Sequence, residues 1–178
     1  MIRKYPIFQL FLLVLLTGAC STTEKISDGE QLYVGIKSTK YHRETAEAKD
    51  KTAVQAFNTA KEEVDAALAY APNGSVFGSS SFTQPLKLRL RIYNRYAESE
   101  SRFGRWMFKH FSEAPVLIST VAPETRSKVA GNTLRNYGFF RGNVDYRIVE
   151  TKHPKKGKIA YDVTTGPLFC RDSVECRS

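Results

Sequence analysis

Histidine, cysteine and long apolar runs are all scarce in this chain. Its three histidines, His42, His110 and His153, stand apart and share no ligand spacing, so no metal centre is expected from them. The longest apolar run, Ile7 to Leu16, is about 10 residues, half of the roughly 20 that a membrane-crossing helix needs, which excludes a multi-span channel. No nucleophile and base converge. Ser79-Ser80-Ser81 has neither a neighbouring base nor an elbow motif, and Glu62, Glu63 and Asp65 fall on the polar side of a helix. A non-enzymatic protein with no cofactor and no small-molecule substrate is expected.

What is present is an ordinary globular composition with a basic surplus. The 178 residues carry 27 Lys and Arg against 18 Asp and Glu, a formal charge of +9, with 42% apolar residues. That is enough chain for about one packed domain. The first twenty residues read as an export signal: Arg3 and Lys4 give a positive start, Ile7 to Leu16 the apolar middle, and Thr17-Gly18-Ala19 the small residues before a cleavage point. Cys20 follows at once, and Leu16-Thr17-Gly18-Ala19-Cys20 resembles a bacterial lipobox, in which the cysteine is acylated and becomes the new N-terminus. Acyl chains at Cys20 would hold the chain at a membrane. Removal of residues 1–19 takes away only Arg3 and Lys4 and leaves +7, so the surplus belongs to the exported domain. Outside the cytoplasm, anionic headgroups, lipopolysaccharide phosphates or an acidic partner are its expected targets, and nucleic acid is not.

Along the mature chain, residues 20–31 are polar and read as a tether. Leu32 to Lys37 reads as a strand. Val54, Phe57, Val64, Leu68 and Ala71 recur at helical spacing and predict an amphipathic helix, stopped by Pro72-Asn73-Gly74. Residues 74–85 read as a Gly/Ser-rich loop that tucks Val76, Phe77 and Phe82 onto the core, or as a plain linker. Leu88, Ile92, Tyr96, Phe103, Met107 and Phe111 predict a second helix with a break at Gly104, its aromatic stripe, widened by Trp106, facing a core or, as the rarer alternative, a membrane surface or a partner. Pro115 to Ile118 is short, apolar and extended or buried. A third helix opens at Pro123-Glu124, buries Val129, Ala130, Thr133, Leu134 and Tyr137, and closes on Gly138. Val144, Tyr146 and Ile148, then Ile159, Tyr161 and Val163, alternate with polar neighbours on either side of a His153-to-Gly157 turn, which predicts a β-hairpin ended by Gly166-Pro167. Each strand is apolar on one face, and helices must cover that face.

The run from Leu134 to Val144, a helix end, a capping glycine, two aromatics and a strand valine, resembles a POTRA (polypeptide-transport-associated) domain. Ile159 to Pro167 resembles the last strand of that fold and its exit. Behind a lipobox, the chain is similar from Leu32 onward to the N-terminal part of lipidated outer-membrane assembly proteins of the BamA/TamA superfamily, the TamL type. The resemblance implies an α+β fold, β-α-α-β-β, with a small mixed three-stranded sheet covered by helices, here over residues 32–167 with a long helical insertion at about 74–118. Residues 168–178 resemble a linker or the start of a following module, and the barrel of such proteins is not among these residues. A fragment, a truncated product and a free-standing accessory lipoprotein all remain open. Cys170 and Cys176 would need a turn to pair, since a six-residue extended step spans about 20 Å.

The resemblance further implies a role in assembly of outer-membrane β-barrel proteins, lipid-anchored at the outer membrane and facing the periplasm, with surface exposure left open. Its partners would be unfolded outer-membrane proteins or assembly-machine subunits. The implied mechanism is β-augmentation, in which a client strand adds to a sheet edge by main-chain bonds. The matching edge is Val144, Asp145, Tyr146, Arg147, Ile148, Val149 and Glu150; Arg147 and Glu150 could equally blunt it. Lys152, Lys155, Lys156 and Lys158 read as a solvated turn or as a contact for anionic headgroups. Two other readings stand beside this one: an envelope structural lipoprotein that binds glycan or peptidoglycan through Phe103 to Phe111, and a nonfunctional remnant.

Overall fold

The computed structural model describes residues 22–43, 51–75 and 87–169. In chain order the elements are β1 (Leu32–His42), α1 (Lys51–Leu68), α2 (Leu88–Tyr96), α3 (Arg102–Phe111), the four-residue α4 (Ile118–Val121), α5 (Pro123–Asn136), β2 (Asn143–Glu150) and β3 (Lys156–Thr164). They form two units, one holding the sheet, α1, α4 and α5, the other α2 and α3 with residues 22–25. Cys20, expected to be acylated, the residues before it read as an export signal, Val76, Phe77, Phe82, Ser79 to Ser81, Cys170 and Cys176 lie outside the described residues.

The sheet unit is α+β, with a mixed three-stranded sheet in the order β1-β3-β2. The hairpin pairs as the alternation requires: Val144 faces Val163, Tyr146 faces Tyr161 and Ile148 faces Ile159. A one-residue slip of β2 along β3 would turn Val144, Tyr146 and Ile148 away from the helices. β1 runs parallel to β3 and is longer than the apolar run suggests, because Ser38 to His42 pair with Ala160 to Thr164. Gly35, at φ 112°, sits in the irregular stretch between Tyr33 and Ile36 and takes a backbone conformation that side chains disfavour.

Helices α1 and α5 cover one sheet face. Phe57, Ala60, Val64 and Leu68 of α1, Ala130 and Leu134 of α5, and Tyr33, Ile159, Tyr161 and Val163 of the sheet make one core with Phe139. At about 25 cal/mol per Å² of apolar surface, this burial is the main force holding the unit together. Arg126 completes it. Its Nη1 donates to the carbonyls of Ala67 and Ala69 at 3.0 Å and its Nε to Val121 O at 3.0 Å, while the guanidinium lies over the Tyr70 ring. The orphan carbonyls that end α1 are thereby satisfied by a cation, the charge that a helix C-terminus favours.

Three expectations need correction. The third helix does not bury Val129, which is 49% exposed; its covered face is Pro123, Ser127, Ala130, Gly131 and Leu134. The small residues Ser127 and Gly131 occupy the position the larger Val129 was expected to take. The second helix breaks at residues 97–101 rather than at Gly104. Ser101 caps the N-terminus of α3 by accepting from Gly104 N at 2.9 Å, and a side chain at Gly104 would run into Ser99. The stretch read as a tether is packed where it is described: Ile26 is 5% exposed, and Lys155 Nζ donates to Ile26 O at 3.0 Å. The α5 cap is as expected. Gly138 has φ 88°, and Phe139 N donates to Leu134 O at 3.0 Å, satisfying a carbonyl of the last turn.

Candidate edge-strand groove

Position in the sheet separates the two outer strands. β1 is partly covered near its start: Tyr33 N donates to Val116 O at 2.8 Å, Ile118 N donates to Gln31 O at 3.0 Å, and Leu117 bridges Leu32. The short run Val116–Ile118, read as extended or buried, therefore serves as a strip along that edge. β2 lies at the other border, and among the described residues no strand pairs with its outer side. In an antiparallel ladder every second residue of an edge strand turns its N–H and C=O away from its partner. The eight residues of β2 thus present about four donors and four acceptors outward.

The side chains of β2 divide by face. Val144 is 6% exposed and belongs to the core, whereas Tyr146 is 39% and Ile148 47% exposed, so the helix-side face of the strand emerges from the core along its length. On the opposite face Asn143 Nδ2 donates to Asp145 at 2.9 Å, and Arg147 Nη1 donates to Asp162 at 2.7 Å. Arg147 therefore reaches back over β3 instead of guarding the border. Val149 is half-buried and Glu150 exposed.

Beside this border runs a groove in two hollows. One, about 540 Å³, lies between α5 and the start of β2, lined by Ser127, Lys128, Gly131 and Asn132 opposite Asn143 to Tyr146. The other, about 600 Å³, continues past Tyr146 and Ile148 to Ile118, Pro123, Gln31 and Pro154. Tyr146 lines both. The first hollow exists because α5 is small on this side. Among the described residues, a methyl group at Gly131 would meet no atom within 4 Å, and the buried Ser127 hydroxyl has no hydrogen-bond partner. Its rim is charged: Lys128 Nζ donates to Glu124 at 2.7 Å, which lowers the carboxyl from its ordinary range and raises the ammonium. Beneath the groove Tyr161 is fully buried with an unpaired hydroxyl, and burial pushes its phenol up to about 12.

The turn lysines do not act as one cluster. Lys152 is exposed in the turn, Lys155 is tied to Ile26 and to Asp28 at 3.2 Å, and Lys156 and Lys158 are half-buried on the central strand. Of the three histidines, His42 approaches Asp162 at 3.8 Å, His110 bonds Trp106 O at 3.0 Å, and His153 belongs to the hairpin turn. Among the described residues no group of His, Cys, Asp and Glu could hold a metal, and no helix is long and apolar enough to cross a membrane.

The edge position of Val144 to Glu150 was an implication of the family resemblance and not of the residue pattern, and neither pointed to the groove. Ser127 and Gly131 could have been found as small residues four apart on the helix that precedes the hairpin, a spacing that leaves one helix face low. No protein-family model matches the chain, and neither a curated protein nor a solved structure matches it.

Proposed function

We propose that this chain is a membrane-anchored, POTRA-like envelope module, non-enzymatic, that takes part in outer-membrane β-barrel assembly by accepting an extended client segment along β2. The observation that carries the reading is the outer border of β2, which pairs with no other strand among the described residues and lies beside a groove roofed by the small residues of α5. Main-chain pairing ignores client sequence, which suits a handler of many substrates. The exposed faces of Tyr146 and Ile148 would receive alternate apolar side chains of the added strand.

The magnitude fits a transient handler. About eight outward bonds at a net of roughly 1 kcal/mol each are largely offset by the 4–15 kcal/mol lost to association, so weak and reversible binding is expected. A client that must be passed onward requires that.

The test is titration of the full chain with a labelled peptide of alternating apolar and polar residues, compared with Gly131→Leu. A Cβ at Gly131 meets no described atom within 4 Å, so the leucine is directed into the groove, and circular dichroism with the unfolding midpoint checks that the fold is retained. Loss of at least about tenfold in peptide affinity, equivalent to 1.4 kcal/mol, with an unchanged or higher unfolding midpoint, is the expected result. Equal binding by both proteins overturns the reading.

A further inference from the structure

The helical unit deploys its aromatics in a way the sheet unit does not. α2 and α3 fold back on one another: Tyr93 lies 5.4 Å from Phe108 and Tyr96 lies 6.3 Å from Phe103, ring centre to ring centre, and Glu113 N donates to Arg89 O at 3.2 Å. Phe108 marks the side of α3 used in that contact, and Phe103 stands at its border, touching Tyr96 while most of its ring stays exposed. Another side carries Phe103, Trp106, Met107, His110 and Phe111 at helical spacing, and it faces solvent: Phe103 is 63%, Trp106 50% and Phe111 45% exposed. Gly104 is the only buried residue of α3. The rings touch one another, Trp106 at 6.1 Å from Phe103 and 5.5 Å from Phe111, so they form one strip. An amphipathic helix that turned this stripe inward would be core; here it is turned outward.

The charge beside the strip narrows what can cover it. Arg102, Arg105 and Lys109 follow one flank of α3, and residues 87–114 hold seven Lys and Arg against three Asp and Glu. A second copy of the same surface would meet like charge. A glycan is held by carboxylate and amide side chains around a stacking ring, and α3 contains no Asp, Glu, Asn or Gln. An anionic bilayer surface meets both requirements. Trp and Phe rings rest at the boundary between headgroups and acyl chains, and a row of cations beside them reaches the phosphates.

We propose that α3 lies flat on an anionic phospholipid surface, with Phe103, Trp106 and Phe111 at the acyl boundary and Arg102, Arg105 and Lys109 on the phosphates. This is a second membrane contact, separate from any acyl group at Cys20 and independent of client binding along β2. It turns a point attachment into an oriented one.

Trp106 is the single tryptophan of the chain, so its emission reads this contact directly. The full chain is mixed with vesicles of phosphatidylglycerol and phosphatidylethanolamine, or of phosphatidylcholine alone, and Trp106 emission and its quenching by brominated acyl chains are recorded. The expected result is a shift to shorter wavelength with quenching on the anionic vesicles, weaker on phosphatidylcholine and weakened by salt. Replacing Arg102, Arg105 and Lys109 together by Ala should raise the vesicle concentration for half-maximal shift about 100-fold, since each cation near an anionic surface contributes about 1 kcal/mol, roughly a factor of five. Phe103→Ser with Phe111→Ser should reduce the shift while circular dichroism stays unchanged. Unchanged emission from a chain that sediments with the vesicles overturns the proposal, because the attachment would then lie elsewhere. So does a shift that appears without vesicles and grows with protein concentration.

Discussion

Aromatic residues do opposite work in the two units of this molecule. In the sheet unit Tyr33, Tyr161 and Phe139 are at most 1% exposed and form the centre of the core. In the helical unit Phe103, Trp106 and Phe111 are roughly half exposed and form a strip on the outside. Arginine follows the same division: Arg126 spends its guanidinium on three backbone carbonyls, while Arg102 and Arg105 are exposed beside the strip. Side-chain chemistry alone therefore does not decide whether an aromatic stabilises a fold or offers a surface. What lies against it decides.

The comparison can be broken by mutation, and the largest expected effect is in the sheet unit. Phe139→Ala should cost about 3–5 kcal/mol by leaving a cavity at the junction of α5 and the sheet, measured by urea denaturation. If Phe103→Ala cost as much, the division between core and surface aromatics would fail; its expected effect is within about 0.5 kcal/mol.

Alkaline pH gives a second contrast. The Tyr161 phenol titrates at about 12, and burial moves Tyr33 and Tyr41 in the same direction. The folded value lies above the unfolded value of about 10, so the folded state holds the proton more tightly. The stabilisation is complete below pH 10 or so and is lost as pH rises through 12, a loss on the order of 2–3 kcal/mol for Tyr161. Tyr161→Phe removes an unpaired buried hydroxyl, so it should leave neutral-pH stability unchanged or higher and should flatten the alkaline loss; a steeper loss would count against the assignment.

Arg126→Ala should cost about 2 kcal/mol, because three carbonyls near the ends of α1 and α4 lose a charged donor, while Arg105→Ala should shift the unfolding midpoint hardly at all. Equal effects would remove the arginine half of the comparison. The smallest expected effect is a gain: Gly131→Ala places a methyl in open space on a helix and should stabilise by up to about 1 kcal/mol, read as a higher midpoint. A loss there would mean that α5 sits closer to β2 than the groove requires.

Much of the fold was legible wherever the signal was local. The hairpin was legible, because period-two alternation over Val144 to Ile148 and Ile159 to Val163 puts the apolar residues of each strand on one face, while the exact register, Val144 opposite Val163, came from the structure. The stop at Gly138 was legible because only a residue that tolerates positive φ ends a helix that way. The covered face of α5 was misread, since Val129 outranks Ser127 and Gly131 on any hydropathy scale and only the neighbouring strand shows which side is opposed. The loop break was misplaced for a similar reason. Gly104 looks like a breaker, but the Ser99-Glu100-Ser101 turn supplies the cap and Gly104 supplies the room.

From the amino-acid order alone came the elements, the hairpin partner and the basic amphipathic character of residues 102–111, because each depends on residues a few positions apart. Tertiary structure decided the parallel pairing of β1 with β3, the strip that covers one sheet border while the other pairs with no strand among the described residues, and the outward turn of the aromatic stripe. Those outcomes depend on groups far apart in the chain, such as Tyr33 with Gly157 and Arg126 with Ala67. No periodicity encodes such meetings; they arise when competing faces are buried together and one of them is left over.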